Sequence, residues 1–373
     1  MYTNRGSHVK SLRAFCLATL MLCAGAARQG NGQSSDYLIW VASEATDRIA
    51  LVRFSPATST AGIEREFTIG LLPTDPDGPH GLTISPDGRF LYISTAHGQP
   101  FGFLWKIEAA TAKVVGRVEL GMFPATVALT PDGAFAFVVN FNLHGDMVPS
   151  SVSAVSTDEM LEVARIPTCT MPHGSRINPQ GTKHYSACMM DDVIVEIDTR
   201  TFGVARTFSV ASGAQQHEAS HTAHVPTCSP TWAQPSADGA AVYVACNKSN
   251  EILEIDVARW TLTRRFTAGE GVYNLAATHD GRSLVATNKR GQSVSIFDLT
   301  AGKEVARVAT KRRIVHGVVV SPDDRYAFVS VEGIGSQPGT VEVIDLRTRT
   351  AVAAADVGQM AGGIDFWKTE GGH

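Results

Sequence analysis

From Tyr37 onward the apolar residues fall in short runs or alternate with polar ones, and each run stops at a turn rich in Gly, Pro, Asp or Asn. Runs of that length with a period near two predict strands rather than helices. One unit recurs along the chain: an apolar strand, a Ser/Asn-Pro-Asp-Gly-like turn, then a second strand. It appears at 80–88 followed by 89–93, at 125–133 with 134–138, and at 173–181 with 184–188. Further copies lie at 231–239 with 242–246, 273–281 with 284–288, and 316–324 with 326–329. Each continues into a third strand that ends in an acidic turn, as at Asp198, Asp256, Asp298 and Asp345, and then a fourth, as at 204–208 or 304–308. The turn glycines Gly88, Gly133, Gly181, Gly239 and Gly281 suit the positive φ of tight hairpin turns. Four strands per unit at a spacing mostly in the forties is the mark of propeller blades.

The two ends complete the pattern. Residues 37–68 hold three strands without a leading turn, and Met360–Trp367 reads as a lone first strand. Joined, they make one blade from both termini and leave no open sheet edge. The expected fold is all-β: a seven-bladed β-propeller of four-stranded antiparallel blades over 37–368, with a tail at 369–373. The stretches Ser85-Pro-Asp-Gly88, Tyr243-Val-Ala-Cys-Asn247 and Leu284-Val-Ala-Thr-Asn288 resemble the YVTN β-propeller repeat family over nearly all of that region. The resemblance implies a bacterial or archaeal surface or periplasmic setting. It implies little about activity, because relatives by fold include lactonase-like hydrolases, the nitrous oxide reductase propeller and surface-layer proteins.

The N-terminus adds an export expectation. Arg5, Lys10 and Arg13 precede the uncharged run 14–27, which is too short to span a bilayer and carries Ala24-Gly25-Ala26 as a small-x-small cleavage signal. Residues 1–27 are therefore expected to be a signal peptide and 28–36 a polar linker, giving a periplasmic, secreted or cell-surface protein. Cys23 is a lipoprotein alternative, weakened by bulky Leu22 before it. Cleavage after Ala26 removes three cations and no acids, taking the formal charge from −4 to −7. No basic stripe is left to follow phosphates, so nucleic acid is not expected as a partner. The remaining expectation is a monomer that meets a small molecule, a metal ion or a protein partner at its mouth.

Counting eight residues back from each turn glycine, or from Asp324, gives one channel-mouth residue per blade: His80, Ala125, His173, Thr231, Tyr273 and His316. Three imidazoles around one axis suit a transition metal, copper or zinc, or an anionic ligand; a plain pore-packing role for His-Gly pairs is the competing reading. Trp232, Tyr273 and Asn274 join them as candidate ligand contacts. Cys169, Cys188, Cys228 and Cys246 read either as two disulfides, Cys169 with Cys188 and Cys228 with Cys246, each within its own blade, or, with Met171, Met189 and Met190, as soft donors for copper. His217, His221 and His224 form a second candidate metal set; His217-Glu-x-x-His221 matches a zinc-protease motif but sits in an inter-blade insertion. The functional expectation is an extracytoplasmic propeller that binds a metal ion or small ligand at the channel mouth without catalysis. The alternative is an enzyme using the same histidines, as a copper-dependent oxidoreductase or a lactonase-like hydrolase.

Overall fold

The computed structural model describes residues 35–72, 74–96, 101–211 and 225–371. The expected signal peptide, most of the linker and His217, His221 and His224 lie outside these residues. Among the described residues the strands form seven four-stranded antiparallel sheets, and the one helical element is the three-residue 3-10 turn Glu44–Thr46. The inner strands are Pro79–Ile84, Pro124–Leu129, Pro172–Ile177, Pro230–Pro235, Val272–Ala277 and Val315–Val320 in blades 2 to 7. Each touches the inner strand of the next blade, and Ala361–Glu370 touches both Val315–Val320 and Pro79–Ile84, so the ring closes.

Blade 1 is built from both chain ends. Ala361–Glu370 pairs antiparallel with Asp36–Ser43, from Ser43 opposite Ala361 to Asp36 opposite Glu370, with register shifts between Leu38 and Ile39 and between Val41 and Ser43. Tyr37 then fastens this blade to blade 7: its ring packs edge-on against Tyr326, and its hydroxyl donates to Asp323 Oδ2 at 2.6 Å. The repeated turns explain the second strands. Gly88, Gly133, Gly181, Gly239 and Gly281 all have φ near +70°, where L side chains are strained, and Asp324 takes the same place at 56°.

The core lies between blades rather than within one. Adjacent sheets bury their aliphatic and aromatic faces against each other, as where Leu38, Trp40, Ile49 and Leu51 of blade 1 meet Leu91, Ile93, Trp105 and Ile107 of blade 2. An additional apolar cluster, Ala96, Phe123, Ala125, Phe141 and Met171, sits at one end of the ring. That end holds the candidate site.

Candidate functional site

Local backbone chemistry aims the mouth residues. Two positions before each one, and before the equivalent Gly362 of blade 1, the chain turns through a left-handed corner: Gly78, Phe123, Met171, Ser229, Gly271, Ile314 and Met360 all have φ between 48° and 66°. Five of these are not glycine, and Ile314, β-branched at 66°, is a strained case costing about 1–2 kcal/mol. A register shift then follows at the top of each inner strand of blades 2 to 7, for example between Pro79 and Leu82 and between Val315 and Val318. Such bulges re-aim side chains and free a backbone N–H from the ladder. A hydroxyl collects it: Gly81 N–H donates to Ser94 Oγ at 2.8 Å, and Ser94 Oγ donates to Ala125 O of the next blade at 2.6 Å. Gly317 N–H, Ser330 Oγ and Gly362 O repeat the arrangement. Glycine follows His80 because a Cβ there would stand 2.0 Å from Ala125 O.

These corners surround a cavity of about 720 Å³ at the axis. Of the six counted mouth residues, His80, His173, Thr231, Tyr273 and His316 line it and Ala125 packs in the apolar cluster instead, with the ring of His80 at 6.0 Å from that of His173 and 5.6 Å from that of His316. Trp232 and Asn274 lie one level deeper, at a narrow waist of about 30 Å³. Glu44, Phe141, Met189, Asn247, Lys289 and Glu332 also line the cavity, and of these only Met189 was among the expected ligands, as a soft donor for copper. They share one signal, since each is the residue after a blade's second strand, eight past the turn glycine wherever that turn exists.

The three imidazoles occupy different electrostatic settings. His173 is fully buried; its Nδ1–H donates to Thr231 O at 3.0 Å, because a carbonyl can only accept, and Nε2 then accepts from the Tyr273 hydroxyl at 2.9 Å. Burial, reinforced by His80, pushes its pKa down to about 3, so it stands neutral. His80 meets the Glu44 carboxylate through Nδ1 at 2.8 Å, while its Nε2 is buried without a partner. His316 is held well below its ordinary pKa, first by burial and then by Lys289, and its Nδ1 is also buried unpartnered. Lys289 Nζ lies 2.8 Å from Glu332 Oε1 and 4.3 Å from the centre of the Tyr273 ring. Burial opposes its charge, but Tyr273 and Glu332 outweigh that and raise its pKa. Above this polar floor the wall carries Phe123, Phe141, Leu143, Met189, Ile314, Ile334 and Met360, with Arg290 and Arg313 among them.

The cysteines are joined as Cys169–Cys188 and Cys228–Cys246. The first bond is not internal to one blade: Cys169 ends the outer strand Leu161–Thr170 of blade 3 and reaches the second strand of blade 4. Bonded sulfurs offer no thiolate, so these four residues leave the donor set of the copper alternative, and Met189 and Met190 pack on the apolar cluster beside Phe123 and Met171. Among the described residues no group of three or more His, Cys, Asp and Glu side chains is arranged to hold a metal ion. No described helix is long and apolar enough to cross a membrane.

No family model matches the chain, and no curated protein matches it. Solved structures do. The hydrazine synthase of Kuenenia stuttgartiensis is similar with a TM-score of 0.58 and 25% identity, over 75% of this chain and 80% of that one. A functionally unknown protein from Desulfotomaculum acetoxidans is similar with a TM-score of 0.69 and 18% identity, over 88% of this chain and 98% of that one. Dihydro-haem d1 dehydrogenase NirN, in complex with DHE, gives 0.59 and 14%, over 88% of this chain and 75% of that one. These likenesses are likenesses of fold.

Proposed function

We propose that this chain is an exported propeller, with repeats of the YVTN type, that binds a small organic molecule in the 720 Å³ cavity. The molecule sits polar end down on the histidine floor, its apolar body against the Phe123, Phe141 and Met360 wall. The observation that carries this reading is the pair of buried, unpartnered ring nitrogens, His80 Nε2 and His316 Nδ1, beside Lys289 in a roomy cavity. Buried polar atoms without partners are costly, by about 1–3 kcal/mol each, and a ligand group or ordered water that meets them recovers that loss. Export is supported by the two disulfides, which persist in oxidising compartments.

The catalytic reading has one specific support. Glu44 orients His80 with Nε2 free, the carboxylate–imidazole arrangement from which a general base acts on a lactone or ester. Thermal-shift titration with phenolates, aliphatic carboxylates and lactones, alongside metal analysis of the purified protein, tests the proposal. Wild type is expected to be stabilised by at least one class, and His80→Ala and Lys289→Met to lose that response. No response from wild type, or an equal response from both variants, refutes the site. Turnover of a lactone that His80→Ala abolishes assigns catalysis.

A further inference from the structure

The far half of the channel is not used by that reading. Three residues beyond each mouth position the inner strand returns a side chain to the axis, and four blades place polar groups there: Thr83, Arg176, Gln234 and Asp365. They line a second cavity of about 330 Å³, opposite the first and separated from it by the histidine waist.

Its two charges face each other without meeting. Arg176 belongs to blade 4 and Asp365 to blade 1, three steps apart and so as far across as a seven-membered ring allows. The guanidinium stacks 4.5 Å from the centre of the Trp232 ring and spends one N–H on Ser175 O at 3.0 Å. Among the described residues no carboxylate comes within 4.0 Å of it. Asp365 Oδ2 accepts from Thr83 Oγ1 and Ile84 N–H, both at 2.9 Å, which leaves Oδ1 with the amide of Phe366 alone. Gln234 donates to Pro235 O at 2.9 Å, so its carbonyl oxygen stays available as an acceptor. Burial pulls Arg176 down to about 10 and pushes Asp365 up, with each opposing the other's shift only through space. Both groups are partly buried and hydrogen-bonded, but neither has an opposite charge in contact.

We propose that this lower mouth binds a small aliphatic zwitterion of the amino-acid class. Its carboxylate takes the fork of Arg176, its ammonium turns toward Asp365 and the Gln234 carbonyl, and its side chain rests on Leu82, Val127, Val318 and Ile364. Planar guanidinium donors match a carboxylate two bonds at a time.

Calorimetric titration of the full chain with L-valine, 3-methylbutanoate (valine without its amine) and isobutylamine (valine without its carboxylate) tests this. Valine is expected to bind at least about tenfold more tightly than 3-methylbutanoate, as a charged hydrogen bond at Asp365 implies, and isobutylamine not measurably. Arg176→Gln is expected to abolish valine binding, and Asp365→Asn to reduce it to the level of 3-methylbutanoate. Absence of valine binding to wild type, equal affinity for valine and 3-methylbutanoate, or unchanged binding to Arg176→Gln each overturns the proposal. The three-ligand comparison on wild type needs no variant, so a substitution that fails to fold does not leave the question open.

Discussion

His184 provides a sharp test of how burial sets charge in this ring. It lies on the second strand of blade 4, fully buried, stacked on Phe137 at 5.3 Å between ring centres, with neither ring nitrogen partnered. Burial holds its pKa down to about 3, against an ordinary value of 6.5. Above pH 6.5 it is neutral in both the folded and unfolded chain and adds no pH dependence. As pH falls through 6.5 the unfolded chain takes a proton that the folded chain refuses until about 3, so stability drops throughout that window. The drop from this one group is about 2 kcal/mol between pH 7 and pH 5, approaching 1.4 kcal/mol per pH unit. His184→Phe keeps a ring against Phe137, removes two unsatisfied nitrogens and deletes the titration. Urea unfolding of both proteins at pH 7, 6 and 5, disulfides intact, is expected to show the variant gaining on wild type by about 2 kcal/mol across the range. His173 and His316 stay in both proteins, so the difference isolates one proton. Parallel pH profiles would mean that His184 is protonated or hydrated inside the ring, and the argument from burial would fail.

Two further outcomes follow from the geometry. Replacing Cys228 and Cys246 by serine opens a loop of separation 18 in blade 5 and is expected to cost about 3 kcal/mol, read as a lower urea midpoint; an unchanged midpoint would show that the bond constrains nothing. Gly81→Ala drives a methyl into Ala125 O and Ser94 Oγ and is expected to cost about 1–3 kcal/mol, whereas a melting curve matching wild type would show that blades 2 and 3 separate easily.

The architecture was legible because a propeller writes its repeat into the chain. Turn glycines with φ near +70° recur at readable intervals, and the missing first and last pieces of a blade are visible at the two ends. Counting back from those glycines also found the histidines, since an inner strand of fixed length separates turn from mouth. Glu44, Lys289 and Glu332 escaped because they follow strands whose sequences carry no shared chemistry at that place: Ala96, Phe141, Met189 and Asn247 are their equivalents. Only the fold shows that these dissimilar residues share a wall. The partner of Cys169 was found from spacing, yet its blade was not, because the outer strand Leu161–Thr170 runs longer than its counterparts in most blades and carries the cysteine across the boundary.

The paired ends of blade 1 have a practical meaning. Ser43 and Ala361 stand at the level of the upper cavity, and Asp36 and Glu370 stand at the other end of the same two strands, where Arg53 ties them together. Any label, linker or immobilising support joined beside Asp36 or Glu370 therefore approaches from the underside of the ring. A sensor built that way would present the histidine basin to the sample unobstructed, and would crowd the Arg176 opening instead.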